Sequence, residues 1–88
     1  MTEKTLTTYQ RWDGIAKTIM KGKKIVDVGY IDKSEAEHYA WHNRGVWFQL
    51  DDGTRLICMR DDEGNDAGVL AYIHKEVDSV LPVIGMDD

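Results

Sequence analysis

The chain has 88 residues, of which 42% are hydrophobic and 31% charged, a balance that excludes a collagenous, low-complexity or wholly disordered protein. At this length folding buries only about two-thirds of the unfolded surface, so one core is expected and a second is not. The formal charge of −5 argues against a nonspecific coat for nucleic acid, which needs a basic face to release counterions from phosphates.

No apolar run approaches the roughly 18 residues of a membrane span. No apolar segment follows Met1-Thr2-Glu3-Lys4, so no secretory signal is expected. The lone cysteine, Cys58, has no intrachain partner, which suits a reducing cytosol. Charge is unevenly divided. Residues 1–50 carry eight Lys/Arg against six Asp/Glu and residues 51–88 carry three against ten, a net of +2 facing a net of −7. The one basic cluster, Lys17, Lys21, Lys23 and Lys24, reads as lysines closing a helix at the negative end of its dipole.

In chain order, residues 8–21 predict a helix. Tyr9, Trp12, Ala16 and Ile19 recur at steps of three and four, with Ile15 and Met20 widening the stripe. Thr7 and Gln10 form a capping box at its start and Gly22 stands where a helix ends. Residues 24–31 alternate as a strand with Val26, Val28 and Tyr30 on one face and Asp27 and Gly29 on the other. Asp32 then caps a short helix over residues 33–41, with Glu35 as reciprocal partner of the cap and Asn43, Arg44 and Gly45 ending it.

The strongest local signal is a hairpin of residues 46–50 and 54–60 around Asp51-Asp52-Gly53. With Asp52-Gly53 as a two-residue type I′ turn, Leu50 lies opposite Arg55, Phe48 opposite Ile57 and Val46 opposite Met59. One face is then Val46, Phe48, Leu50, Ile57 and Met59, and the N-terminal helix supplies a matching stripe to cover it. The other face, Trp47, Gln49, Leu56 and Cys58, is mixed. A polar loop over residues 61–68 follows, then apolar runs at 69–74 and 80–84, where Pro82 restricts the last to an edge strand or an extended segment. Residues 85–88 read as a polar tail of the same single domain.

Gln49-Leu50-Asp51-Asp52-Gly53-Thr54 and Asp61-Asp62-Glu63-Gly64-Asn65-Asp66-Ala67-Gly68 make the chain resemble a group of small bacterial and phage proteins with an LxDGT…DDEGNDxG pattern. The resemblance covers roughly residues 22–84 and leaves the N-terminal helix outside it. It implies an order of strand start, short acidic helix, strand with an Asp-Gly turn, and acidic loop. The group has no established activity, so it carries no catalytic residue onto this chain.

His38 and His42 are four apart, a spacing that lets two imidazoles on one helix face share a metal, with Glu35, Cys58 or the acidic loop as a third ligand. No Glu follows His38 directly, so the metalloprotease motif is lacking. Reading Asp61 as the first position of a calcium loop puts Asp66 at the sixth, where glycine is needed, and Tyr72 at the twelfth, where glutamate is needed, so this is no EF-hand. A structured turn capped by Asp61, Asp62 or Asn65 is the simpler reading. Cys58 has no neighbouring base to activate it and reads as a packed thiol beside Trp47, and His74 reads as a strand residue. Trp12, Trp41 and Trp47, with Tyr9, Tyr39 and Tyr72, are more aromatic surface than so small a domain buries, and exposed aromatics mark protein interfaces.

These features predict an α+β fold: an amphipathic N-terminal helix packed on a small, mainly antiparallel sheet of three to five strands, with a second short helix. They predict a noncatalytic cytoplasmic protein, of the host cytosol if phage-encoded, that binds a protein partner or itself. No cofactor, membrane or nucleic-acid partner is called for. The expected contact surface is Trp41, Trp47, Asp61, Asp62 and Glu63. The alternatives are a small metal-dependent enzyme or metal sensor using His38 and His42, and a nucleic-acid-related protein, either a DNA mimic or a weak phosphate binder.

Overall fold

A computed structural model describes residues 5–87 and shows an α+β fold. Helix α1 spans Thr8–Met20. Its capping box is complete: the Gln10 N–H donates to Thr7 Oγ1 at 3.0 Å and the Thr7 N–H to Gln10 Oε1 at 3.1 Å, satisfying two amides that a helix start leaves orphaned. The expected burial of its apolar stripe does not occur. Trp12 is 58% exposed, and α1 has no buried residue. The Cα radius of gyration is 15.9 Å against about 12 Å for a compact domain of this length, because α1 stands clear of the sheet.

Strand β1, Ile25–Tyr30, is followed by α2, Lys33–His38. Asp32 caps α2, accepting from the Glu35 N–H at 2.8 Å. Glu35 does not complete a reciprocal box; its carboxylate leaves the helix to grip Arg55 at 2.5 and 2.9 Å. The helix also stops three residues earlier than the pattern suggests. Ala40 has φ 60°, its N–H donates to Glu37 O, and the Trp41 N–H donates to Ala36 O at 2.9 Å. This is a Schellman ending, with its usual hydrophobic contact made by Trp41 and Ala36, both buried.

Two residues, Asn43–Arg44 (β2), come next, then β3, Val46–Leu50, and β4, Arg55–Ile57. The remainder is a hairpin of β5, Leu70–His74, and β6, Val77–Leu81, and then β7, Ile84–Gly85. Strands β1, β3 and β4 form one antiparallel sheet with β3 in the centre, while β2 pairs with β7 and β5 with β6. The β5–β6 hairpin lacked a sequence signal because its turn, Lys75-Glu76, holds positive φ at both positions (50° and 68°) without a glycine.

The β3–β4 register differs from the expected one by a single residue. Trp47 lies opposite Ile57, Phe48 opposite Leu56 and Gln49 opposite Arg55. Leu50 and Thr54 close the loop instead of Leu50 and Arg55, with the Gly53 N–H donating to Leu50 O at 3.0 Å and the Leu50 N–H to Thr54 O at 2.8 Å. Gly53 alone is in the left-handed region (φ 92°). The turn therefore has three residues, type I followed by a glycine bulge, and a one-residue step carries every β4 side chain to the opposite face.

The core consequently forms on the face expected to be mixed. Ile31, Ala36, Trp41 and Ala67 are buried together, and Trp47, Ile57, Val83 and Met86 pack against them. On the expected core face Val46 and Leu50 are buried as expected, but Phe48 is only half-buried, no helix lies over it, and Met59 is 46% exposed.

Ala40 is strained as an L-residue in the left-handed region, a conformation that costs about 1–2 kcal/mol. Ala40→Gly is expected to raise unfolding free energy by about 1 kcal/mol, since part of that relief is offset by the extra freedom of glycine when unfolded. Denaturant titration checks this, with an unchanged slope and a higher midpoint as the expected result.

Candidate interaction surface

The surface expected around Trp41 and Trp47 is largely used up by the fold itself. Trp41 is 6% exposed, its Nε1–H donates to Gly64 O at 2.7 Å, and its ring meets that of Tyr39 at 4.9 Å. It is a core residue because α2 ends one turn before it and swings it inward. Trp47 is half-buried. Its ring lies against Gly29 and under the Arg55 guanidinium, 4.7 Å from the ring centre, and that guanidinium is held by Glu35. The ion pair holds the Glu35 carboxyl below its ordinary range, with the Arg55 hydrogen bond as the main cause.

The acidic loop is a closed structural turn. Asp61 Oδ1 accepts the Glu63 N–H at 3.1 Å and the Asn65 N–H at 3.3 Å, and Oδ2 accepts Asn65 Nδ2 at 3.0 Å. The Asn65 side-chain bond first, then the backbone bonds, hold the Asp61 carboxyl below its usual range. Asp62 and Glu63 remain exposed. The loop returns to the sheet where the Arg60 N–H donates to Asp66 O and the Gly68 N–H to Cys58 O, both at 2.9 Å. A Cβ on Gly68 would sit 2.4 Å from Met59 O, so only glycine admits this approach of two backbones.

Asp66, which the sequence offers only as the wrong residue at the sixth position of a calcium loop, organises this region. It is 5% exposed and accepts the N–H groups of Ala67 (2.8 Å), Asn43 (3.0 Å) and His42 (3.2 Å), and Asn43 Nδ2 at 3.2 Å. Burial pushes its carboxyl pKa up, but these donors outweigh it and the net direction is down.

His38 is the last residue of α2 and His42 lies beyond the turn at Ala40, so the two do not share a helix face. Among the described residues there is no group of three His, Cys, Asp or Glu side chains placed to hold a metal ion. Cys58 is half-buried and burial pushes its thiol pKa up, away from nucleophilic character.

The other face of the sheet carries what the sequence assigned to the core. Ile25, Val28, Tyr30, Val46 and Phe48, with Leu70 and Leu81 from the β5–β6 hairpin, line a groove of about 460 Å³ whose exposed lining is wholly apolar. Ile25 reaches this face, and Val26 does not, because a bulge interrupts β1 between Ile25 and Asp27. Tyr30 contributes only its ring: its hydroxyl donates to Pro82 O at 2.9 Å. Ile25 and Val28 are 59% and 61% exposed.

The chain matches no known protein family, and neither a curated protein nor a solved structure matches it. Among the described residues no helix is long and apolar enough to cross a membrane.

Removing the Asp66 carboxylate strands three backbone donors, so Asp66→Ala is expected to destabilise the fold by about 3 kcal/mol. The folded pKa of Asp66, like that of Glu35, lies below its unfolded value. Each contributes stability that is full above the unfolded value, about 4, and is lost as pH falls through the folded one. Thermal melts of the native protein should therefore hold a steady midpoint from pH 7 to about 5 and decline below about 4. A midpoint that rises on acidification contradicts this assignment.

Proposed function

We propose that the protein acts without catalysis, as a small association module that binds protein through the groove between β1, β3 and the β5–β6 hairpin. The observation that carries this reading is the groove itself: seven apolar side chains on two strands and a hairpin, with Ile25 and Val28 among them more than half exposed. The α1 stripe, which has no buried residue, supports the same reading. A protein is the fitting partner class, since a wholly apolar lining offers no donor to a phosphate and no ligand to a metal. A reducing cytosol suits this reading, because the chain's one thiol stays free. The mixed surface around Trp47, Asp62 and Glu63 takes no part in the lining of this groove.

A photo-crosslinking amino acid placed at position 28, in the groove, and at position 33, on exposed α2, tests this in the cells that produce the protein. Position 28 should yield a discrete covalent product with a protein, either this chain or another, that position 33 does not. Equal labelling from both positions overturns the reading.

A further inference from the structure

Resting on the reading of the groove as a protein-binding site, we infer that its occupant is helix α1 of a second copy of this chain, exchanged reciprocally between two protomers. Each chain carries both halves of one hydrophobic contact and joins neither. Trp12, Ile15 and Ile19 lie along one face of α1 and are 58%, 38% and 37% exposed. Thirteen helical residues are about 20 Å long, a length that suits a groove running across neighbouring strands.

The area agrees with this. The chain exposes 7095 Å², whereas a folded monomer of 10.1 kDa exposes about 5,300 Å². The excess, about 1,800 Å² per chain, amounts to about 3,600 Å² for a pair, within the range of obligate homodimers. A groove filled by a different protein would leave α1 bare and account for only part of this excess. Reciprocal exchange covers both surfaces at once.

The connection between α1 and β1 shows why the helix does not serve its own groove. Only residues 21–24 separate Met20 from Ile25, itself a groove residue, and they are pinned along their length. The Lys21 N–H donates to Lys17 O at 2.9 Å, the Lys23 N–H to Met20 O at 3.2 Å, and the Asp51 N–H to Lys24 O at 2.9 Å. Lys23 Nζ sits 2.5 Å from Asp52 Oδ2 and, together with Thr54, holds that carboxyl at about 2. Folding α1 back over its own sheet bends the chain at residues 22–24, at the expense of the contacts that Lys23 and Lys24 make with the β3–β4 turn. Keeping them directs the helix outward, and short constrained hinges are what favour exchange between protomers.

Sedimentation equilibrium on the purified full chain at about 100 µM, a concentration that saturates an interface of this size, tests the exchange. The native protein should weigh about twice 10.1 kDa. Trp12→Lys in the helix and Val28→Asp in the groove each strike both of the two symmetric contacts, and should weaken dimerisation at least a thousandfold and sediment as monomers. Near-ultraviolet circular dichroism from the Trp41 core should be retained, since both positions are exposed in the single chain. An equimolar mixture of the two variants should recover dimer, because one intact helix and one intact groove still meet. A native monomer overturns the exchange. So does a Trp12→Lys protein that stays dimeric, which would mean groove against groove. If the native chain is monomeric while position 28 cross-links to a different protein, the exchange fails and the association reading stands; if position 28 cross-links to nothing, both fail.

Discussion

The positive φ of Gly53 decides which side of the central sheet becomes the interior. With one left-handed residue after Asp51 and Asp52, the β3–β4 turn closes over three residues and Ile57 falls beside Trp47. Trp47 and Ile57 then form a floor on which Trp41, Ile31, Ala36 and Ala67 assemble. Phe48 and Leu56 are carried to the opposite side. Everything functional proposed for the molecule follows from that assignment: one face is consumed by the fold, and the other buries Val46 and Leu50 but keeps an apolar groove.

The interior so formed is small, four buried hydrophobic side chains among the described residues, and two polar arrangements extend its reach into chain that is neither helix nor sheet. Trp41 links the end of α2 to the acidic loop through Gly64. Asp66 gathers amides from His42, Asn43 and Ala67, which ties that loop to the strand leading into the sheet. Buried polar groups that are fully partnered specify a unique arrangement, and here they replace the apolar area that so short a chain lacks.

Local signals in the sequence are legible where one residue type dictates the geometry. Thr7 with Gln10, and Asp32, mark both helix starts, Asp51-Asp52-Gly53 marks the hairpin, and the alternation of residues 24–31 marks β1. The α+β class follows from these. What escaped was decided by single-residue differences in tertiary context. Two-residue and three-residue turns share the same Asp-Gly signal, yet they invert the faces of a strand. Ala40, Lys75 and Glu76 adopt positive φ without the glycine that would announce it, so the early end of α2 and the β5–β6 hairpin gave no warning. The inversion takes Ile57 from the face of Phe48 to that of Trp47, and the early end of α2 buries Trp41, so the pattern of apolar residues alone reveals neither the core around Trp41 nor the groove.

The bulge in β1 has a bearing on how the molecule avoids uncontrolled growth. Strand β1 pairs with β3 on one side only, and a free strand edge ordinarily offers its amides and carbonyls as a template for endless strand addition. Here Val26 steps out of register, and the Val28 N–H is already taken by the carboxylate of Asp27 at 2.9 Å. The edge beside the most apolar surface of the protein is thereby kinked, charged and deprived of a donor. A chain so marked can be sticky on its faces yet resist polymerising into fibres along its margins.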